Sequence, residues 1–192
     1  MLVRTILFGA LAIIAAVVGV FAFNVTSDGG GQAYGAPFTL VDQKGQPVTE
    51  QAFQGQPSAV FFGFTHCPEV CPTTLYEMDG WLKALGEDGD NIRAFFVSVD
   101  PERDRPDVLD AYVGNVSERI TALTGEPTQV EAMAKSFGIF VRKVPTDNGD
   151  YTVDHTASVL LLGPDGDFEG TIAYGESHDA AVAKLKRLAE AG

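Results

Sequence analysis

Ser58 to Glu77 reads SAVFFGFTHCPEVCPTTLYE, and its interpretation decides the fold. Ser58 to Phe64 is mostly apolar and rich in aromatics, the signature of a buried strand. It runs into Thr65-His66-Cys67-Pro68-Glu69-Val70-Cys71-Pro72, which holds both cysteines of the chain. A helical pattern follows, with Leu75, Met78, Leu82 and Leu85 on one face. Two thiols therefore stand where a buried strand hands over to a helix N-terminus. Unpaired amides and the positive end of the helix dipole favour thiolate over thiol there.

The C-x-x-x-C spacing puts residues i and i+4 on one helix face, with Cβ atoms roughly 5–6 Å apart. Two sulfurs at that separation can share one soft metal ion. They can also form a disulfide, which tolerates Cα separations of about 4.4–6.8 Å. One pair thus offers a metal clip or a redox switch. Two inert structural cysteines are the third reading; a bridge closing so short a loop adds little loop-closure stabilisation.

Outward from this stretch, the 192 residues suffice for one domain of about 150–165 residues plus an N-terminal extension. With 45% hydrophobic residues the chain can bury a proper core. A formal net charge of −13 argues against nucleic acid and against adhesion to anionic headgroups, both of which call for a basic face. Two cysteines can make neither a four-cysteine zinc site nor a disulfide framework, so a metal site must recruit a ligand from elsewhere.

Thr5 to Phe23 contains one hydroxyl and no charge. As a helix it measures about 28 Å, close to the hydrocarbon thickness of a bilayer. Arg4 precedes it, and no Lys or Arg follows until Lys44, so the rest of the chain is expected on the non-cytoplasmic side. Ala22-Phe23-Asn24 is a poor cleavage site, which favours an uncleaved single-pass anchor over residues 1–23 rather than a signal peptide. Residues 24–36, polar and Gly-rich, read as a flexible tether, and the domain as residues 37–192.

Phe38 to Val41 and Pro47 to Thr49 flank a turn and form a small N-terminal hairpin. Gly86 to Asn91 breaks the cysteine helix. Ile92 to Val99 is a second buried strand, and Asp100 to Arg105, DPERDR, a charged solvated loop. Pro106 and Pro127 open helices, the latter closed by Gly138. Strands are expected at Ile120 to Leu123, Ile139 to Val144 and Tyr151 to Val153. Ala157 to Leu162 and Phe168 to Ala173 flank a turn at Gly163-Pro164-Asp165-Gly166. Ser177 caps a final helix. This order is α/β, with a central mixed sheet flanked by helices.

Three histidines compete for the third ligand position. His178, beside Ser177 and Asp179, reads as a solvated surface residue. His66 is adjacent to Cys67 and points away from it. His155, in Asp154-His155-Thr156, starts a buried strand. If that strand runs antiparallel to the Ser58 strand, its start meets the other's end and sets His155 beside Cys67 and Cys71. The alternative is a loop histidine held by Asp154, with the two readings evenly balanced. Two thiolates and one imidazole suit Cu(I) better than Mg²⁺ or Ca²⁺ and leave zinc one ligand short.

Gly63 to Pro72, Ser98-Val99-Asp100-Pro101-Glu102-Arg103-Asp104 and Asp154-His155-Thr156 together resemble, in order, the three characteristic stretches of the SCO/SenC family. The resemblance covers Pro37 to Ala191. It implies a thioredoxin-like fold carrying copper, as Cu(I) and with Cu(II) as a second state, on Cys67, Cys71 and His155. It implies assembly of the dinuclear copper (CuA) site of cytochrome c oxidase subunit II, or of another copper-accepting protein. The role would be copper donor, dithiol reductant through Cys67 and Cys71, or both. It further implies an inner-membrane protein with a periplasmic domain. Thr156-Ala157 stands where redox thioredoxins keep a cis proline, which counts against a purely oxidoreductase role.

Overall fold

The computed structural model describes residues 33–147 and 149–190. Among them no helix is long and apolar enough to cross a membrane; the predicted span over residues 5–23 lies outside the described residues.

Among the described residues, nine strands and five α-helices follow one another: β1 (Thr39–Asp42), β2 (Pro47–Thr49), β3 (Ser58–Gly63), α1 (Val70–Ala84), α2 (Glu87–Asp90), β4 (Arg93–Ser98), α3 (Pro106–Gly114), β5 (Ile120–Thr124), α4 (Pro127–Ser136), β6 (Val141–Pro145), β7 (Tyr151–His155), β8 (Val159–Leu162), β9 (Phe168–Ile172) and α5 (His178–Glu190). Seven strands form a mixed sheet in the order β2-β1-β5-β4-β3-β8-β9. The centre is parallel: β3 pairs with β4 from Ser58↔Arg93 to Gly63↔Ser98, and β4 pairs with β5. Every residue of β3 and β8 is buried, which explains their unbroken apolar runs; strands covered on both faces have no solvent side to alternate toward.

The expected antiparallel partner of β3 is present. β8 pairs with it from Ser58↔Leu162 to Phe61↔Val159. The N-terminal hairpin forms as β1–β2. Pro106 and Pro127 occupy the first turns of α3 and α4, where a missing N–H costs nothing. Past α4, Gly138 takes φ 66°, and the amide of Ile139 reaches back to the Ala134 carbonyl at 2.8 Å, ending the helix in a left-handed turn.

One expectation changes. Gly86 to Asn91 is not a plain break, because Glu87–Asp90 winds one short helical turn. The strands β6 and β7 pair only with each other, from Val141↔His155 to Pro145↔Tyr151. Arg142 and Lys143 leave β6 largely exposed, so it cannot enter the buried sheet. Within the segment expected as a tether, the Tyr34 amide donates to the Gly166 carbonyl at 2.8 Å, and its ring packs on Phe137 and Phe168. An aromatic with a hydroxyl handle docks where a Gly/Ser-only segment would not.

Candidate metal centre

β3 ends at Gly63, where the chain turns away from the sheet. A Cβ at this position would lie 2.9 Å from Cys71 Sγ and 2.7 Å from Phe96 Cε2, so only glycine lets the sulfur approach the strand. Phe64 is buried, and residues 65–69 loop outward to the start of α1 at Val70.

Only Cys71 belongs to the helix. Cys67 lies in the loop before it, which corrects the picture of two cysteines on one helix face. The sulfurs still meet, because Cys67 folds over the helix start and its Sγ accepts the Cys71 amide at 3.4 Å. A helix N-terminus has amides without partners, and a sulfur satisfies one of them. Cys67 is half-buried and Cys71 fully buried; both are free thiols.

His155 arrives from a different element than expected. It is the last residue of β7 rather than the first of the buried strand, which begins at Val159. In β7, Tyr151, Val153 and His155 alternate toward the body of the protein while Asp154 faces solvent. The imidazole Nε2 stands 3.5 Å from Cys71 Sγ, and Nδ1 stands 2.9 Å from the Thr156 carbonyl. A carbonyl only accepts, so Nδ1 carries the proton and Nε2 turns its lone pair to the sulfur. Phe64 meets the ring edge-on, with centroids 5.7 Å apart at 88°, and Phe61 lies at 6.1 Å.

Cys67 Sγ, Cys71 Sγ and one His155 nitrogen all lie within 4.8 Å of one another. Among the described residues no other group of His, Cys, Asp and Glu is arranged to hold a metal ion. His66 is exposed, its Nδ1 3.1 Å from the Thr65 hydroxyl, and stays out of the cluster. His178 is a surface residue next to Asp179.

The two thiols share their protons unequally. The Cys71 thiol, hydrogen-bonded to Cys67, pushes the Cys67 pKa down to about 4; burial opposes this, and the amides of Cys71 and Glu69 add to it. Cys71 is pushed up, first by that same bond and then by burial. The pair therefore carries one thiolate, on the more exposed sulfur, and one proton, on the buried one.

The charged loop is the residue set that sequence reasoning placed wrongly. Asp100 and Asp104 are both wholly buried. Asp104 accepts the Thr65 amide at 3.0 Å, the Thr65 hydroxyl at 2.6 Å and the Ser98 hydroxyl at 2.7 Å. Asp100 accepts the Tyr151 hydroxyl at 2.7 Å and pairs with Arg103. Their signal was the recurrence of Ser98 to Asp104 as one of three ordered motifs, which composition alone reads as a solvated run.

A thiol loop, a distant histidine and a buried acidic loop now stand in one place. The SCO1/SenC family model matches residues 26–190. The chain belongs to this family. It is 35% identical over 166 residues to the mitochondrial protein SCO2 of Saccharomyces cerevisiae, an alignment covering 84% of this chain and 55% of that protein. The curated relatives are longer, and this chain spans about half to two thirds of their length. The structure of Bradyrhizobium japonicum ScoI with copper bound shares 42% identity at a TM-score of 0.75, covering 81% of this chain and 99% of that one. BsSco, described as a Sco-family cytochrome c oxidase assembly protein with a disulfide switch, matches at 29% identity and a TM-score of 0.66, covering 83% of this chain and 96% of that one. The fold is thus the mixed α/β, thioredoxin-like fold of Sco structures.

Proposed function

We propose that this chain is a copper metallochaperone. Cys67, Cys71 and His155 hold the ion and release it to a copper-accepting protein, with the CuA site of cytochrome c oxidase subunit II as the target. The single observation that carries this is His155 Nε2 at 3.5 Å from Cys71 Sγ with its proton committed to the Thr156 carbonyl. Two sulfurs and an unprotonated imidazole nitrogen form a soft, three-donor set suited to Cu(I). Copper-bound ScoI, 42% identical, supports the choice of metal. Cys67 is half-exposed, so an incoming thiolate can reach the ion and replace the chain's donors one at a time. The apolar stretch over residues 5–23 supports an inner-membrane tether that holds the domain on the periplasmic side.

The test is copper stoichiometry of the 192-residue chain in detergent, reduced and oxidised. One Cu(I) per reduced chain and none after oxidation is the expected result. His155→Ala should weaken Cu(I) binding sharply while leaving the dithiol able to cycle; unchanged affinity would remove the ligand assignment.

The asymmetry of the thiols favours a second reading, a thiol–disulfide reductase. The Cys67 thiolate attacks one sulfur of a partner disulfide, forming a mixed disulfide and expelling a partner thiolate. Cys71 then loses its proton and attacks Cys67 Sγ, releasing the second partner thiolate and leaving this chain oxidised by two electrons. That activity survives copper chelation and His155→Ala, whereas delivery of copper does not.

A further inference from the structure

One loop touches both halves of the metal centre. Residues 100–104 follow β4 and fold tightly, with the Arg103 and Asp104 amides donating to the Asp100 carbonyl at 3.1 and 3.0 Å. From one end of this turn, Asp104 grips Thr65 on the cysteine loop through both amide and hydroxyl. From its other side, Asp100 and Arg103 grip the hairpin that carries His155.

The hairpin stands outside the main sheet. β6 and β7 pair with no strand of the main sheet. Beside them lies a cavity of about 640 Å³ whose lining includes Val130, Ala134, Ile139 and Val141, so the hairpin is not packed along its whole length. Val153 is buried against the core, and Tyr151 adds the polar anchor. Its hydroxyl donates to Asp100 at 2.7 Å, its carbonyl accepts Arg103 Nη1 at 3.0 Å, and the Arg103 guanidinium lies 3.8 Å from its ring centroid. Lys143 stands over the ring at 4.8 Å and pairs with Glu102 of the same loop at 2.7 Å. The other side of Arg103 reaches toward Phe64, whose ring packs edge-on against His155.

Tyr151 and His155 are four residues apart on one strand and face the same way. Where Tyr151 is held, His155 is aimed. We infer that Asp100 and Arg103 are positioning residues for the metal centre, clamping Tyr151 so that the imidazole of His155 is delivered to sulfurs that Asp104 holds in place. Neither is a metal ligand. A ligand on a loosely packed hairpin loses orientation unless outer contacts restore it, and orientation of a ligand by such partners commonly governs metal affinity.

This inference rests on the copper reading of the site, and the test separates the two. Cu(I) affinity is measured anaerobically on the whole chain in detergent by competition with bathocuproine disulfonate, for wild type, Tyr151→Phe, Arg103→Gln, His155→Ala and the Tyr151→Phe/His155→Ala double variant. Tyr151→Phe removes one hydroxyl and keeps the ring, so it carries the test if Arg103→Gln fails to fold. Tyr151→Phe should weaken Cu(I) binding about tenfold, the effect of losing a hydrogen bond to a charged acceptor. In the His155→Ala background the same change should cost nothing, because its target is gone. In the copper-free chain, amides of residues 141–155 should exchange faster in Tyr151→Phe while those of β3 are unchanged. Wild-type copper affinity in Tyr151→Phe, or an equal loss with and without His155, overturns the clamp. Wild-type affinity in His155→Ala overturns the copper reading first, and the clamp with it.

Discussion

Asp104 holds Thr65 from 39 residues away, accepting both its backbone amide and its hydroxyl on the two oxygens of one buried carboxylate. This contact ties the end of β4 to the loop that presents Cys67. A third donor, the Ser98 hydroxyl, completes the site at 2.7 Å. Asp104→Asn keeps the shape but swaps an acceptor for a donor against at least one of these groups. The expected loss is about 2–3 kcal/mol of unfolding free energy, the scale of leaving a buried polar group mismatched. Urea unfolding should show a lower midpoint with an unchanged m-value. A midpoint equal to wild type would mean that the carboxylate charge and its three bonds contribute nothing net.

The second prediction concerns Gly63. A methyl group there meets Cys71 Sγ at 2.9 Å and Phe96 Cε2 at 2.7 Å, and neither neighbour has free space in a wholly buried site. Overpacking of this kind costs about 1–3 kcal/mol. The displaced atom is the sulfur, so Gly63→Ala should also weaken Cu(I) binding, whereas an equally destabilising core change away from the site should not. Loss of stability with unchanged Cu(I) affinity would show that Cys71 tolerates the shift.

A third prediction follows from the unequal thiols. The Cys71 thiol hydrogen-bonded to Cys67, with help from nearby amides, holds Cys67 down at about 4 against the cost of burial. A thiol held below its ordinary value stays ionised while pH falls through the usual thiol range, and loses reactivity only near its own lowered pKa. Alkylation of the reduced, copper-free chain by iodoacetamide should therefore stay nearly constant from about pH 8 to about pH 6, where an ordinary thiol slows about a hundredfold. Peptide mapping should find the label on Cys67 and not on Cys71, which burial and the neighbouring thiolate keep protonated. A rate that halves near pH 8.5 would show that the pair does not share its proton this way.

Much of this architecture could be read from residue order. Strands β3 and β8 announce themselves as apolar runs because both faces are covered, and Pro106, Pro127 and Gly138 mark helix ends through backbone constraints that act locally. That Cys67, Cys71 and His155 would meet was legible as well, since soft donors are few in this chain. The route of His155 was not. Whether the strand before it joins the main sheet depends on burial of Arg142 and Lys143, a tertiary outcome that the alternation of β7 does not encode. Asp100 and Asp104 were misread for the same reason. A carboxylate is solvated by default and is buried only where partners gather, and those partners, Thr65 and Tyr151, lie 39 and 51 residues away.

The fourth prediction tests the edge of the domain. Tyr34 falls in a stretch whose glycines suggest a free linker, yet its ring stacks at 5.6 Å edge-on to Phe137 and at 5.0 Å to Phe168. Its amide donates to Gly166, and its hydroxyl donates to the Phe137 carbonyl at 3.3 Å. Phe137 belongs to the aromatic cluster with Phe38, Phe53 and Phe62, so Tyr34 covers one side of the core rather than decorating it. Phe168 is itself 46% exposed even with Tyr34 in place, and removing the ring would uncover it further. Tyr34→Ala should cost about 1–3 kcal/mol, combining lost apolar burial with the aromatic pairs. Tyr34→Phe, which forfeits only the long hydroxyl bond, should cost less than about 1 kcal/mol. Thermal unfolding of both variants separates ring from hydroxyl. Two variants as stable as wild type would show that the Tyr34 contacts contribute nothing net to the folded domain.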